Sequence, residues 1–309
     1  MMGVLHLSAL FLLSLLCPGL SHVVGQFQKN CETFFLNGKT PNIPRILVQG
    51  TVPNTKQNNR YEPICQFYHN EYRFATLYDT TNRIPVFSAY KFTGDGGKRP
   101  DPEPWMIEPQ LEGDEADKSM AEESRGVQYR RQATKQDYIN SKGVNRGHLF
   151  PSMHADGVDA KESTFTLTNI VPQVVTFNNG SWEDMETKVK NIMKQSCKDS
   201  NNQNKIEAYV VTGAVPSKNN KLNNQVNIPS FIWTAFCCKY STNQKTIQWH
   251  SGAHWGENRK KGLKGRTVPL SVAELNSKLT EIYRKEIDKR GDVQVFPKEP
   301  KCLKPKESF

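Results

Sequence analysis

The sequence predicts an α+β fold in which a mixed antiparallel sheet is combined with helices. Three observations support this prediction: β-rich runs separated by polar turns, two runs with helical spacing of apolar residues, and no internal repeat. No change in composition marks a boundary after residue 30. Residues 26–309 are therefore expected to form one domain with its core at about 60–290.

The clearest strand signals form a hairpin. Phe74–Tyr78 and Pro85–Phe92 are rich in β-forming residues, and the polar segment Asp79–Arg83 between them suits a turn. Residues 26–70 are expected to form a loop-rich N-terminal segment, and residues 93–142, rich in Gly, Pro and acids, a long surface excursion. Further runs with strand composition are Thr164–Ile170, Ile206–Val215 and Phe231–Tyr240.

Two helices are predicted. Apolar residues recur at helical spacing from Trp182 onward, so Trp182 is interpreted as a core residue rather than a platform for base stacking. Ser271–Glu274 has the pattern of a capping box and opens a second amphipathic helix. The apolar positions are Trp182, Met185, Val189, Ile192 and Met193 in the first helix, and Leu275, Leu279, Ile282 and Ile287 in the second.

The N-terminus predicts a secreted protein. The first 25 residues contain no Lys, Arg, Asp or Glu, and an apolar run extends from Val4 to Leu16. Val23 and Gly25 are small enough for the −3 and −1 positions of a cleavage site, so residues 1–25 are interpreted as a signal peptide. The alternative, a membrane anchor, is less favoured because the run is short for a membrane span.

Six cysteines remain after the predicted signal peptide, and an even number in a secreted chain indicates disulfides. None has the paired spacing of a zinc site. Cys237 and Cys238 would point to opposite faces of a strand and should therefore bond different partners. The expected bridges are Cys31–Cys65 and one bond each from Cys197 and Cys302 to the adjacent pair.

The charge balance favours polyanionic partners. The formal net charge is +10 and the pI is about 9.2, which suits nucleic acid, acidic glycans or an anionic membrane. A solvated basic surface without a specific partner is the alternative interpretation. The charge alone does not decide between these classes.

Three motifs carry the residue types needed for phosphodiester hydrolysis: Asn145–His148, Asn169–Gln173 and Phe177–Glu186. Such hydrolysis needs a base for water, a positive charge for the phosphate and stabilisation of the leaving oxygen. A His and an Arg two residues apart supply the first two. The amide oxygen of Asn178 suits Mg²⁺, and Glu186 lies two helical turns beyond it, so both side chains can face one cluster.

These motifs, in this order, resemble the DNA/RNA non-specific endonuclease family. The resemblance covers most of the chain after residue 60 and implies a ββα-metal (His-Me finger) nuclease core. By position, it implies that His148 is the general base and that Asn178 is the direct protein ligand of Mg²⁺ or another divalent cation such as Mn²⁺. The resemblance further implies that Glu186 holds metal-bound waters. Glu186, Arg146 and His148 are then the catalytic residues. An unperturbed His148 would make activity rise with pH through the neutral range.

The resemblance also implies contacts with the phosphate backbone of DNA or RNA. Arg99 and Lys190 match substrate-binding arginines, although Lys190 keeps the charge and loses the planar fork. Asn169 matches the asparagine that precedes Pro-Gln and is included among the substrate-binding residues. The family usually has Asp at the position of Asn145, a departure that puts activity, though not the fold, in question.

Several of these residues have alternative interpretations. Asn178 alone would more often be a helix cap. His250 and His254 have the spacing of a zinc motif on a helix, but without an accompanying Glu they are interpreted as structural or surface residues. Asn179–Ser181 is a glycosylation sequon beside the predicted metal ligand, where a glycan would block substrate, so we expect it to be unmodified in an active enzyme.

The leading functional hypothesis is a secreted, Mg²⁺-dependent, sequence-non-specific endonuclease acting on DNA, RNA or both. The alternative is a catalytically weak or inactive nuclease-fold protein that binds polyanions, motivated by Asn145 and by the sequon. A structural glycoprotein has little positive support. The sequence does not specify the oligomeric state or the preference between DNA and RNA, and no later segment is long enough for a membrane span.

Overall fold

The computed structural model describes residues 23–27, 31–53, 60–113, 116–199, 202, 205–241, 247–259, 267–286 and 291–303. Its strands are β1 (Tyr61–Tyr68), β2 (Glu71–Asp79), β3 (Ile84–Phe92), β4 (Val144–His148), β5 (Ile170–Val174), β6 (Ala208–Val215), β7 (Lys221–Leu222), β8 (Val226–Asn227), β9 (Phe231–Ser241), β10 (Ile247–Glu257) and β11 (Val268–Leu270). Its helices are α1 (Val158–Ser163), α2 (Val175–Phe177), α3 (Glu183–Ser196) and α4 (Val272–Glu286). A π-helical segment, Asn178–Trp182, joins α2 to α3. Short 3₁₀ turns span Glu32–Phe34, Leu36–Gly38, Pro109–Leu111, Gln136–Tyr138, Ser152–His154, Leu167–Asn169 and Pro300–Leu303.

The strands form one large antiparallel sheet and two small pairs. The large sheet has seven strands in the order β1-β2-β3-β6-β9-β10-β11, while β4 pairs with β5 and β7 with β8. All of these pairs are antiparallel. The α+β class predicted from the sequence is confirmed.

The large sheet separates two apolar cores. Because side chains alternate along a strand, Trp233 and Ala235 of β9 enter one core, whereas Ile232 and Phe236 enter the other. The first core also contains α4, the N-terminal segment and the chain around Cys302. The second contains α3 and the β4–β5 pair, so the predicted catalytic motifs all lie on this side of the sheet.

The disulfides follow the same alternation. Cys237 bonds Cys302 on the first face, and its neighbour Cys238 bonds Cys197 on the second. The third bridge joins Cys31 to Cys65. These pairings confirm the expected connectivity. They tie α4's side of the molecule and the end of α3 to the same central strand.

Most predicted elements are confirmed. The hairpin β2–β3 and the strands β6 and β9 occur where expected, and Trp182 is buried at the start of α3. The capping box also forms, because Ser271 N donates to Glu274 Oε2 (2.7 Å) and Glu274 N donates to Ser271 Oγ (3.2 Å). Ile287 and the apolar run of the predicted signal peptide lie outside the described residues.

Three expectations about local structure were wrong. Thr164–Ile170 is mostly a turn, and strand β5 begins only at Ile170, because the Asn169 side chain holds the turn by accepting from Phe150 N and donating to Thr164 O. The stretch expected to be loop-rich contains β1. Residues 93–142 do not merely cross the surface, since Met106, Ile107, Leu111, Met120, Gln132, Ala133 and Tyr138 are buried.

Among the described residues, no helix is long and apolar enough to cross a membrane.

Candidate active site

The site is built by β4 and β5 followed by a helix. His148 pairs with Ile170 and Gly147 with Val171 in the antiparallel register, and the chain then passes through α2 and the π-helical segment into α3. Between these elements and the irregular residues 99–105 lies a cavity of about 510 Å³, here called the cleft. The cleft is lined by Arg99, Glu103, Trp105, Tyr138, Ser141, Val144, Asn145, Arg146, His148, Pro151, Ser152, Met153, Asn178, Asn179, Glu183 and Glu186.

Gly147 lets the two strands pack closely beneath the cleft. A Cβ at this position would lie only 2.0 Å from Oε1 of the buried Gln173 on β5. Gly147 itself lies within strand β4, where it pairs with Val171 of β5. Any larger residue would push β5 away from His148.

His148 is a neutral imidazole in an aromatic setting. Its ring contacts Phe165 edge-on at 4.8 Å and Trp105 at 5.7 Å between centroids. Burial, with a smaller contribution from the positive charge of Arg99, lowers the pKa of His148 to about 3. Nε2 is buried and has no hydrogen-bond partner in the described part of the chain. The side chain is therefore in the protonation state of a general base throughout the neutral pH range, and its titration cannot produce the expected rise in activity there.

The two arginines of the cleft are held differently. The Arg146 guanidinium lies over the rings of Trp105 (4.7 Å) and Tyr138 (5.4 Å), and its buried Nε has no hydrogen-bond partner among the described residues. Burial lowers the pKa of Arg146, but a guanidinium stays charged at neutral pH. Arg99 lies over the ring of Phe165 at 4.9 Å and donates to Glu103 through Nη2 (2.6 Å). Both cations can face a phosphate in the cleft.

Asn178 sits in a cluster of three amides. Its Nδ2 donates to Oδ1 of Asn145 (2.9 Å) and more weakly to Oδ1 of Asn179 (3.4 Å). The Nδ2 of Asn145 in turn donates to Oδ1 of Asn179 (3.2 Å). The Asn178 Oδ1 accepts no hydrogen bond from a described residue, so this oxygen is available to a cation.

Glu186 supplies a carboxylate on the same wall of the cleft. Burial raises its pKa to about 8, and the nearby Glu183 adds to the effect. The Glu186 carboxyl and the Asn178 amide oxygen both line the cleft, and such oxygen donors are the ones that Mg²⁺ and similar hard cations prefer. The residues present therefore fit a divalent cation.

The remaining predicted substrate residues do not line the cleft. Lys190 lies one turn further along α3 and pairs with Asp95 at 3.5 Å. Asn169 is fully buried, and its Oδ1 accepts from Ser88 Oγ (2.9 Å) and Phe150 N (2.9 Å). It has no surface for a substrate to contact, and its role in the structure is to hold the turn that leads into β5.

Sequence reasoning missed two aromatic residues of the site, Trp105 and Tyr138. Both come from the irregular stretch 93–142, where no periodic pattern marks them. The same reasoning gave His250 and His254 a helical spacing, whereas both lie on strand β10. The expectation that these histidines do not form a metal centre remains a prediction.

Comparisons with known proteins agree with the motifs. Residues 52–284 match the DNA/RNA non-specific endonuclease family. The chain is 30% identical over 250 residues to the human Endonuclease domain-containing 1 protein, covering 76% of this chain and 44% of that protein. The mouse protein of the same name is 30% identical over 203 residues, covering 63% and 38%. The motif pattern also resembled these vertebrate proteins, and that resemblance is confirmed.

The chain thus spans less than half the length of these two relatives. A nuclease from Nostoc sp. is 31% identical over 97 residues, which cover 30% of this chain and 31% of that protein. Among solved structures, an EndoG/EndoGI complex matches with a TM-score of 0.47 at 16% identity, covering 71% of this chain and 84% of that one. The family match extends over three quarters of the sequence and includes all three motifs, so the chain belongs to the DNA/RNA non-specific endonuclease family.

Proposed function

We propose that the protein is a divalent-metal-dependent endonuclease that hydrolyses phosphodiester bonds of DNA, RNA or both, with Mg²⁺ as its cation. The observation that supports this most directly is the content of the cleft. A neutral imidazole, an available amide oxygen, a half-buried carboxyl and two guanidinium groups line one cavity. These are the groups that phosphodiester hydrolysis requires.

In this proposal His148 accepts the proton of the water that attacks phosphorus. Arg146 and Arg99 bind non-bridging phosphate oxygens, and the rings of Trp105 and Tyr138 help to hold the Arg146 guanidinium in place. Asn178 would bind the cation directly through Oδ1, and the ionised Glu186 would hold water molecules beside it. When bound, the cation neutralises charge that develops on the phosphate and the leaving oxygen.

The arrangement gives no basis for reading sequence. Arginines in the cleft contact the phosphate backbone, which is the same for every sequence, so base preference should be slight and binding should weaken steeply with salt. The three disulfides of the described chain also support secretion into an oxidising compartment. The secreted location and removal of residues 1–25 are part of this proposal.

A catalytically weak protein that binds polyanions is the second candidate, because Asn145 replaces the family's usual Asp. The geometry weakens that argument. Asn145 Oδ1 accepts the hydrogen bond from Asn178, and one carboxylate oxygen would do the same. What the substitution removes is a negative charge near the cation, so we expect a higher metal requirement rather than loss of chemistry.

A nicking assay separates the two candidates. Purified secreted protein is incubated with supercoiled plasmid, and separately with a structured RNA, with Mg²⁺ and with excess chelator. The endonuclease proposal expects cleavage that depends on Mg²⁺ and is lost with chelator. Salt-sensitive binding without cleavage by the wild type, together with Mg²⁺-dependent cleavage by Asn145→Asp, would instead identify a disabled nuclease.

A further inference from the structure

The side-chain amides of Asn178 and Asn145 are neighbours in the cleft, and the orientation of the Asn178 amide decides which of its atoms can face a cation. Asn178 can serve a cation only through Oδ1, yet rotation of the amide by half a turn would present Nδ2 in its place. An Asp at position 145 would fix this choice, because both of its oxygens only accept hydrogen bonds when ionised. Asn145 alone cannot fix the orientation of the Asn178 amide, because the Asn145 amide can also rotate and present its Nδ2 donor to Asn178.

The structure supplies the missing acceptor at Asn179. Its Oδ1 accepts from Nδ2 of Asn145 (3.2 Å) and lies 3.4 Å from Nδ2 of Asn178. With Asn145 Nδ2 directed at Asn179, Asn145 Oδ1 faces Asn178 and accepts its hydrogen bond at 2.9 Å. Both donor groups then point at protein oxygens, which leaves the Asn178 Oδ1 for the cleft.

We propose that Asn179 is a positioning residue for the metal ligand, and that it compensates for the neutral Asn145. This inference rests on the proposed role of Asn178 as the cation's direct ligand. Reversal of the Asn179 amide alone would place its Nδ2 opposite two other donors, and only reversal of all three amides together would restore the hydrogen bonds. That reversed arrangement would direct two donors at the Asn178 Oδ1, so a cation on this oxygen requires Asn179 in the orientation that the structure has. In a variant with Asp at 145, Asn179 would no longer be needed.

Asn179 is also the acceptor residue of the sequon Asn179–Ser181, and the two roles can be separated. A glycan would attach to Nδ2, which makes no hydrogen bond among the described residues, and would leave Oδ1 as an acceptor. Ser181→Ala removes the sequon without changing the amide. Asn179→Asp removes the sequon and keeps an acceptor, whereas Asn179→Ala removes both.

The test measures the dissociation constant of Mn²⁺ for the full mature chain by titration without nucleic acid. The unfolding temperature of each variant is measured separately as a check on the fold. We expect Asn179→Ala to bind Mn²⁺ about tenfold more weakly than the wild type, because loss of a residue that orients a ligand has effects of this size. Asn179→Asp should bind at least as tightly as the wild type, and Ser181→Ala within about twofold of it. The unfolding temperature should stay unchanged, since the Asn179 side chain is exposed.

A double-mutant comparison tests the compensation itself. In an Asn145→Asp background, Asn179→Ala should change Mn²⁺ affinity by less than about twofold. The inference is overturned if Asn179→Ala binds Mn²⁺ as the wild type does, if Ser181→Ala is equally impaired, or if the loss is the same in both backgrounds. If Asn178→Ala itself binds Mn²⁺ normally, the error lies in the metal ligand of the proposed function instead.

Discussion

The two faces of the central sheet are built for different purposes. On one face, α4 and the N-terminal segment bury apolar side chains such as Leu275 and Phe87 against Trp233, and Cys302 is bonded to β9. On the other, buried polar atoms beside the cleft, among them Arg146 Nε and His148 Nε2, have no hydrogen-bond partner in the part of the chain that the structure describes. Because an unpaired buried polar atom costs stability, these groups lower stability in the region that supplies the candidate catalytic residues.

The same contrast predicts how the two faces respond to substitution. Changes on the α4 face should reduce stability and leave the chemistry of folded molecules unchanged. Changes in the cleft should remove chemistry and leave stability nearly unchanged, because several of the side chains there are partly exposed. Each of the following predictions tests one side of this comparison.

The largest effect is expected from His148→Ala. His148 is the proposed general base, and removal of such a base should reduce the rate of cleavage by about 10²–10⁴-fold. Cleavage of plasmid at saturating Mg²⁺ is the measurement, with near-ultraviolet circular dichroism as a check on the fold. His154→Ala is a matched control for the effect on stability. His154 is also a buried histidine, but it lies outside the cleft and is hydrogen-bonded to the Tyr90 hydroxyl and the Glu186 carbonyl. It should lower stability more than His148→Ala does, and a comparable loss of stability in both variants would contradict the comparison.

Leu275→Ala tests the opposite face. Leu275 is fully buried on α4, and its truncation should lower the free energy of unfolding by about 2–5 kcal/mol. Urea unfolding monitored by fluorescence measures this change. The rate of cleavage per folded molecule, at a temperature well below unfolding, should equal that of the wild type. A reduced rate under those conditions would show that α4 influences the cleft.

The third prediction concerns pH. Because burial raises the pKa of Glu186 to about 8, its carboxyl is protonated below that pH in the metal-free protein. A cation favours the ionised form, so binding below pH 8 releases a proton and the affinity for Mg²⁺ should rise with pH, by up to about tenfold per pH unit. The measurement is the half-saturating Mg²⁺ concentration between pH 6 and pH 9.

Glu186→Gln is the control for this pH dependence. An amide does not titrate, so the half-saturating Mg²⁺ concentration should be higher than in the wild type at pH 9 and should change little with pH. His148 cannot account for a rise in this range, since its pKa lies near 3. An unchanged slope in Glu186→Gln would assign the titration to another group.

The smallest effect is expected from Arg99→Ala. This exposed arginine pairs with Glu103 and, in the proposed function, contacts the phosphate backbone. Its loss should therefore weaken binding to all sequences about equally and reduce the salt dependence by roughly one contact. Fluorescence anisotropy measures the affinity for nucleic acid and its salt dependence, with each substitution made in the His148→Ala background to prevent cleavage. Lys188→Ala on the exposed side of α3 is a charge-matched comparison, and equal salt slopes in the two variants would remove Arg99 from the site.

The sequence predicted much of this because its strongest signals are local. The hairpin turn at Asp79–Arg83, the capping box at Ser271 and the opposite directions of Cys237 and Cys238 each depend on a few neighbouring residues and on strand or helix geometry. All three are present in the structure. The motif residues His148, Asn178 and Glu186, which the sequence predicted to act together, also line one cavity in the structure.

What the sequence did not predict depends on contacts distant in the chain. Trp105 and Tyr138 reach Arg146 from an irregular segment whose path is set by packing against the sheet. The low pKa of His148 follows from burial by residues from several elements. Asn169 resembled a substrate contact by position, but its hydrogen bonds to Ser88, Phe150 and Thr164 bury it completely. Such outcomes follow only from the tertiary arrangement.

The most direct test of the proposed site is the Mg²⁺ dependence of cleavage by Asn178→Ala, compared with Asn191→Ala, which removes an exposed asparagine from α3. We expect Asn178→Ala to need a far higher Mg²⁺ concentration, because it lacks the proposed direct ligand of the cation. Asn191→Ala should follow the wild-type curve. Identical Mg²⁺ curves for all three proteins would show that Asn178 does not bind the cation, and would contradict the central claim.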